Sequence, residues 1–383
     1  MATSVVSIKP VVLPAPGRGT DLEVRVSAPA TGRNLPVILF SHGFGWSMDG
    51  YAPLADHWAA NGFVVLQPTH LDSRRLRLPP ADPRTPHIWR HRVDDLKRVL
   101  DNLTTLESSL PGLTGRVART RIAVAGQSWG AQTASTLLGA RVLTPTDGPR
   151  ADTRAADRKG GPSANGPDAK GLSENGPGAH DPDANDPDAN GPDANGPSEN
   201  DPDANNPDAN TVDAGGSPGT HPRGGHGEDL SDPRIQAGVL IAMAGEGGAN
   251  LTPFATEHFT HLNASFAAMS TPALLIAGDR DQSPLTVRGP DWLTDGYHLS
   301  PGDKSLLTVL DGEHSLGGIS GYDIAETTDE NPDRVAFIQR LTTAYLQTAL
   351  GVDADAWPAA RKRLAADTTP LGRLDSKHRS SEG

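Results

Sequence analysis

Along this chain, short uninterrupted apolar runs alternate with amphipathic helical stretches, and that alternation leaves few folds open. The runs read as strands at Val5–Val12, Leu22–Ser27, Pro36–Ser41, Phe63–Gln67, Arg121–Gly126, Gln236–Met243, Ala273–Ala277 and Ser305–Leu310. Between them, Val93, Leu96, Val99, Leu100 and Leu103 recur at helical spacing. Asp49–Asn61, Trp129–Leu143 and a stretch near Asp333–Leu350 also read as helices. A strand that is apolar on both faces must be covered on both, and intervening helices do this. The expectation is an α/β fold with a mostly parallel eight-stranded sheet and helices on both sides.

One tract breaks the pattern. Gly161 to Asn210 divides into ten pentapeptides of which DPDAN is typical, with proline second in nine of them. A period of five suits neither helix nor strand, each proline removes a backbone donor, and almost nothing is apolar. Residues 144–232 are therefore expected to be a disordered acidic insertion in a surface connection. It would split one domain into a first part, 1–143, and a second, 233–352. A C-terminal extension, 353–383, is expected to end in a disordered tail. Calcium binding by the spaced aspartates is the alternative, but no recognised calcium-loop spacing is present.

The same tract accounts for the charge. The formal net charge is −13, yet residues 144–232 hold 18 acidic and 6 basic side chains, leaving 29 and 28 elsewhere. The rest of the chain is nearly neutral and shows no basic footprint for nucleic acid or a membrane surface. There is no cysteine, which excludes disulfides, a thiolate nucleophile and cysteine-bound zinc. No run approaches the ~18 apolar residues of a membrane span, and the first residues lack a signal-peptide pattern. A cytoplasmic protein is expected.

Two G-x-S-x-G matches occur, and their context separates them. Around Ser217 the sequence is polar and glycine-rich, with no strand before it and Pro218 immediately after. Ser128, in Gly126-Gln127-Ser128-Trp129-Gly130, follows the apolar run Ile122–Ala125 and precedes a helix start. That strand–sharp turn–helix setting presents a serine hydroxyl above a sheet edge. A nucleophilic serine needs a base, an acid that orients the base, and two amides for the developing oxyanion.

The amides are expected from Trp129, next to the nucleophile, and from Phe44 in the turn His42-Gly43-Phe44-Gly45, with Gly45 as the alternative. His42 reads as structural. The acid is expected just after Leu274–Ala277, where Asp281 is preferred to Asp279 because it lies three turn residues beyond the strand. His314, in Asp311-Gly312-Glu313-His314-Ser315-Leu316-Gly317-Gly318, follows the next strand and is the expected base. His258 and His261 read as surface residues on one helix. Phe44, Trp46, Trp89 and Trp129 are candidates for the substrate pocket, Trp89 being equally suited to the core. No metal or organic cofactor is called for by this chemistry.

Together these four motifs, in this order, resemble the α/β-hydrolases. They look most like the bacterial branch called chlorophyllase-like or dienelactone-hydrolase-like, which is related to platelet-activating-factor acetylhydrolases and cutinase-type polyesterases. The resemblance implies cleavage of carboxylic esters through an acyl-enzyme. Two departures bear on substrate. Dienelactone hydrolases carry a cysteine nucleophile, and chlorophyllases have other residues flanking the elbow serine. Short- to medium-chain or aromatic esters are expected, with polyesters or lactones as alternatives. Acyl transfer, or an inactive scaffold whose acidic repeat binds a partner, are the competing functions.

Overall fold

In the computed structural model, which describes residues 3–143, 227–321 and 327–378, the apolar runs pair into one sheet. The first part of the chain supplies β1 (Val5–Leu13), β2 (Leu22–Pro29), β3 (Leu35–Ser41), α1 (Ala52–Ala60), β4 (Val64–Pro68), α2 (Ile88–Asp101), α3 (Leu103–Ser109), β5 (Val117–Gln127), α4 (Trp129–Leu137) and the short β6 (Arg141–Val142). After the insertion come β7 (Ile235–Ile241), α5 (Pro253–His258), β8 (Ala264–Ser265), β9 (Ala273–Gly278), α6 (Asp295–His298), β10 (Lys304–Val309), α7 (Pro332–Ala349), α8 (Ala356–Ala366) and β11 (Gly372–Lys377).

The main sheet runs β1-β2-β4-β3-β5-β7-β9-β10-β11, and its six central strands, β4 to β10, are parallel. Alternate residues of a strand serve opposite faces. Val37 and Leu39 of β3 enter one apolar core with α2 and α4, while Ile38 and Phe40 enter another with α1 and α7. That is why these strands read as continuous apolar runs. The two-stranded pair β6–β8 lies outside the main sheet.

The sheet has nine strands, one more than the sequence led us to expect. The extra strand, β11, lies in what read as a C-terminal extension with a disordered tail. Its sequence, GRLDSK, carries no apolar run because it is an antiparallel edge with mostly solvent-facing side chains. Pairing with β10, Leu374 opposite Leu307, creates it. Trp129–Leu143 also proved too long for one helix: α4 stops at Leu137, and the chain turns at Gly139 with φ of 110°.

Most of the acidic insertion, including the pentapeptides, the Ser217 motif and the proposed calcium aspartates, lies outside the described residues. The described residues resume at Gly227, and Leu230 and Asp232, within the stretch read as insertion, are buried.

The chain's direction across the sheet determines where a crevice opens. From β3 it passes through α1 to β4 on one side, then returns through α2 to β5 on the other side of β3. The carboxyl ends of β3 and β5 therefore border a topological switch point, where crossovers diverge and leave a crevice.

Candidate active site

Ser128 sits at the end of β5, in that crevice, with φ 55° and ψ −123°. A non-glycine residue rarely adopts positive φ, and here the surroundings enforce it. The Ser128 amide donates to the Ile241 carbonyl (2.8 Å), and α4 starts at the next residue. The flanking glycines allow the close packing this needs. A Cβ on Gly130 would lie 1.9 Å from the Ser41 carbonyl oxygen, and one on Gly126 would lie 2.3 Å from that of Gly130.

His314 arrives from the loop after β10, 186 residues later, and its Nε2 lies 2.9 Å from the Ser128 hydroxyl. Its Nδ1 lies 2.9 Å from Oδ2 of Asp281, whose side chain is buried. Of the two carboxylates after β9, Asp279 is exposed and Asp281 faces the imidazole. The histidine loop crosses directly over the end of β9, where a Cβ on Gly278 would meet the Gly312 carbonyl at 2.1 Å. Asp329 anchors this loop, accepting from the amides of Glu313 (2.9 Å) and Gly317 (3.0 Å) and from the Arg334 guanidinium (3.0 Å). Partial desolvation at the cavity mouth works against protonation of His314, but the hydrogen bond and charge of Asp281 prevail and raise its pKa above the usual value.

The loop after β3 is braced from beneath. Gly43 donates to the Tyr51 hydroxyl (3.1 Å) and Gly45 to Oδ2 of Asp72 (3.0 Å). Asp72 also accepts from Nε of the fully buried Arg92 (2.8 Å), and Arg92 reaches the carbonyl of His42 (2.8 Å). The guanidinium beside Asp72 holds that carboxyl well below the usual range although burial opposes this. His42 has the structural place expected of it. Its Nδ1 bonds the Gly43 carbonyl (2.7 Å) and its Nε2 accepts from the His70 amide (3.0 Å), while burial keeps it neutral.

A second serine–histidine–aspartate chain lies in this brace: Ser41 Oγ to His70 Nε2 at 3.0 Å, and His70 Nδ1 to Asp95 Oδ2 at 2.9 Å. All three residues are buried, and none lines the cavity at Ser128, so this set supports the loop.

Ser128 and His314 open into a cavity of about 370 Å³, mostly apolar, walled by Phe44, Trp129, Phe259, His261, Leu285 and Trp292 among others. Phe44 and Trp129 face each other with ring centroids 5.4 Å apart. Trp46 and Trp89 are not part of this wall. Trp46 sits against Tyr51 (5.8 Å between centroids), and Trp89, on the first turn of α2, packs against the core. They read as candidate pocket aromatics, Trp89 being equally suited to the core, and their side chains turn elsewhere.

His261 also departs from expectation. It is not on a helix face with His258; α5 ends at His258 and the chain folds back, stacking His261 on Trp129 at 4.6 Å. His258 stays exposed, whereas His261 is buried and neutral, its pKa lowered by burial to about 3. Arg92, Asp72, Asp329 and His261 had no sequence signal, because each acts through partners distant along the chain. Among the described residues no group of acidic or histidine side chains is arranged to hold a metal ion.

This geometry, four loops at the carboxyl ends of parallel strands converging on one crevice, decides the architecture. The chain has an α/β-hydrolase fold. A family model, platelet-activating factor acetylhydrolase, isoform II, matches residues 21–76. The match spans β2 to β4 with the His42–Gly45 loop, and stops before Ser128. The chain is similar to that family over this segment. No curated protein matched the chain. Among the described residues, no helix is long and apolar enough to cross a membrane.

Proposed function

We propose that this α/β-hydrolase cleaves carboxylic esters through an acyl-enzyme on Ser128. The observation that carries the reading is the unbroken chain from the Ser128 hydroxyl through His314 to Asp281, each contact 2.9 Å long, at the mouth of an apolar cavity. His314 takes the serine proton as the hydroxyl attacks, and Asp281 holds the imidazole and balances its charge. The tetrahedral oxyanion is received by the amides of Phe44 and Trp129. Gly45, the alternative donor, has its amide bonded to Asp72, which favours Phe44. The start of α4 adds its positive end to the stabilisation.

Hydrolysis is favoured over transfer to another acceptor because the His314 side chain is 50% exposed, so water reaches the base that activates it. The mostly apolar wall, with Phe44, Trp129, Phe259 and Trp292 in it, suits short- to medium-chain and aromatic acyl groups. The test is release of p-nitrophenol from p-nitrophenyl butyrate. It is expected in the native protein and is expected to fall by ~10⁴-fold or more in Ser128→Ala, as for other triads. Undiminished turnover in Ser128→Ala would reject the reading.

A further inference from the structure

The two amides assigned to the oxyanion are aimed in different ways. That of Trp129 is aimed by its own helix. The Ser128 carbonyl accepts from the Gln132 amide (3.1 Å), and a trans peptide points its N–H opposite to its C=O, so the Trp129 N–H faces out of the start of α4. Phe44 has no helix to do this. Of the four amides from Gly43 to Trp46, that of Gly43 donates to Tyr51, that of Gly45 to Asp72 and that of Trp46 to the Gly43 carbonyl (3.3 Å). The fourth, that of Phe44, has no acceptor among the described residues.

The direction of the Phe44 N–H is set by the other end of its peptide bond, the Gly43 carbonyl. That oxygen faces the interior, where it accepts from Nδ1 of His42 (2.7 Å) and from Nη2 of Arg92 (3.3 Å). The N–H across the planar peptide is thereby turned the opposite way, to the side on which Phe44 lines the Ser128 cavity. Glycine tolerates either orientation of this peptide. In the flipped one, a carbonyl oxygen would face the developing oxyanion and repel it.

Arg92 reaches this carbonyl from α2, is fully buried and does not line the cavity. Besides Asp72 and the His42 carbonyl, its guanidinium meets the elbow. Nη1 donates to Oγ1 of Thr133 (3.3 Å), Thr133 donates to the Trp129 carbonyl (2.9 Å), and the Trp129 ring lies 4.7 Å away. His42 shares the Gly43 carbonyl, but Arg92 also holds the side of the site that carries Trp129.

We propose that Arg92 is the positioning residue of the oxyanion hole. It keeps the Gly43–Phe44 peptide with its N–H towards the cavity and in register with the Trp129 amide. This rests on the ester-hydrolase reading. Arg92 touches no reacting atom. Its effect falls on the transition state, because an ester oxygen needs two aimed donors most once it carries the charge.

Arg92→Lys tests this, since lysine keeps a cation beside Asp72 but lacks the fork that spans the loop carbonyls and Thr133. With p-nitrophenyl butyrate, kcat per active site is expected to fall by about 10- to 100-fold, with KM changed by less than about threefold. Titration with a fluorophosphonate counts the active sites, so a smaller folded fraction is not read as slower chemistry. Propylboronic acid is the second probe. Its tetrahedral adduct on Ser128 mimics the butyryl intermediate, and its inhibition constant should rise in parallel with the loss in kcat.

Arg18→Lys is the comparator. Arg18 is a second buried arginine of the brace; it donates to Asp95 (2.7 Å), and none of its hydrogen bonds reaches either half of the hole. This variant is expected to lower the melting temperature while kcat per site and the boronate constant stay within about twofold of native. Three results overturn the proposal: Arg92→Lys keeping both values within about twofold, a loss confined to KM, or an equal loss in Arg18→Lys. If the native protein turns over no ester, the hydrolase reading fails, whereas calorimetry of the boronate with native and Arg92→Lys protein still decides the role of Arg92. Absence of a boronate adduct on the native protein would overturn both.

Discussion

Gln127, immediately before the candidate nucleophile, donates from Nε2 to the backbone carbonyl of His314 at 3.1 Å. Its Oε1 accepts from the Tyr51 hydroxyl (2.7 Å), which itself accepts from the Gly43 amide (3.1 Å). One buried side chain thus ties the loop after β3 to the loop that carries the histidine, with the elbow between them. The three loops come from positions 43, 127 and 314, so their alignment is a tertiary property.

Replacing Gln127 by Glu should expose this coupling. The acceptor for Tyr51 is kept and the donor to the His314 carbonyl is lost. We expect kcat to fall by about tenfold, with a smaller change in KM, since orientation and not binding is disturbed. Gln127→Leu should in addition lower stability by about 1–3 kcal/mol, because the Tyr51 hydroxyl loses this acceptor in a buried site. Steady-state kinetics and urea unfolding measure the two effects, and equal losses for both variants would contradict the division.

Activity should depend on pH through His314. The imidazole must be neutral to accept the serine proton, and Asp281 raises its pKa above 6.5. Activity is therefore expected to be full above that raised value and to be lost as pH falls through it. Asp281→Asn removes the charge that raises the pKa, so the acid limb should shift to lower pH while kcat drops by about 10⁴-fold. A kcat–pH profile for both proteins checks the direction.

Arg92 should matter for stability as well as for the loop it supports. Arg92→Met leaves the buried Asp72 carboxylate unpaired and removes a guanidinium that lies 4.7 Å from the centre of the Trp129 ring. The loss is expected to be about 3–5 kcal/mol. Asp72 titrates below the usual carboxylate range in the folded state, so the pair's contribution is present above a pH of ~3.9 and is lost as pH falls below it. Denaturation curves at pH 7 and in acid should show the variant's deficit shrinking towards low pH.

The acidic insertion should be removable. Its two ends meet: a Cβ on Gly227 would lie 2.6 Å from the Val142 carbonyl oxygen, and Arg141 pairs with Asp229 at 2.9 Å. A short glycine–serine link replacing 144–226 can therefore close the gap without moving β6. The shortened protein is expected to keep its melting temperature within a few degrees and its esterase activity within about twofold. Loss of folding would show that the repeat contributes to the core.

The α/β alternation, the elbow at Ser128, Asp281 and His314 were all legible in the sequence, because each depends on local pattern: an apolar run, a glycine-flanked turn, a charged residue at a fixed distance beyond a strand. Local pattern could not reveal β11, which exists only because β10 offers it an edge. The true cavity wall was hidden for a related reason. Trp46 and Trp89 lie close in sequence to the right loop and helix, but His261, Phe259 and Trp292 reach the site after long excursions of the chain. The buried contacts of Arg92 with Asp72 and of Arg334 with Asp329 were equally invisible. Hydrogen bonds in a low-dielectric interior are made by whichever groups the packed chain brings within about 3 Å, and no short-range pattern encodes that distance.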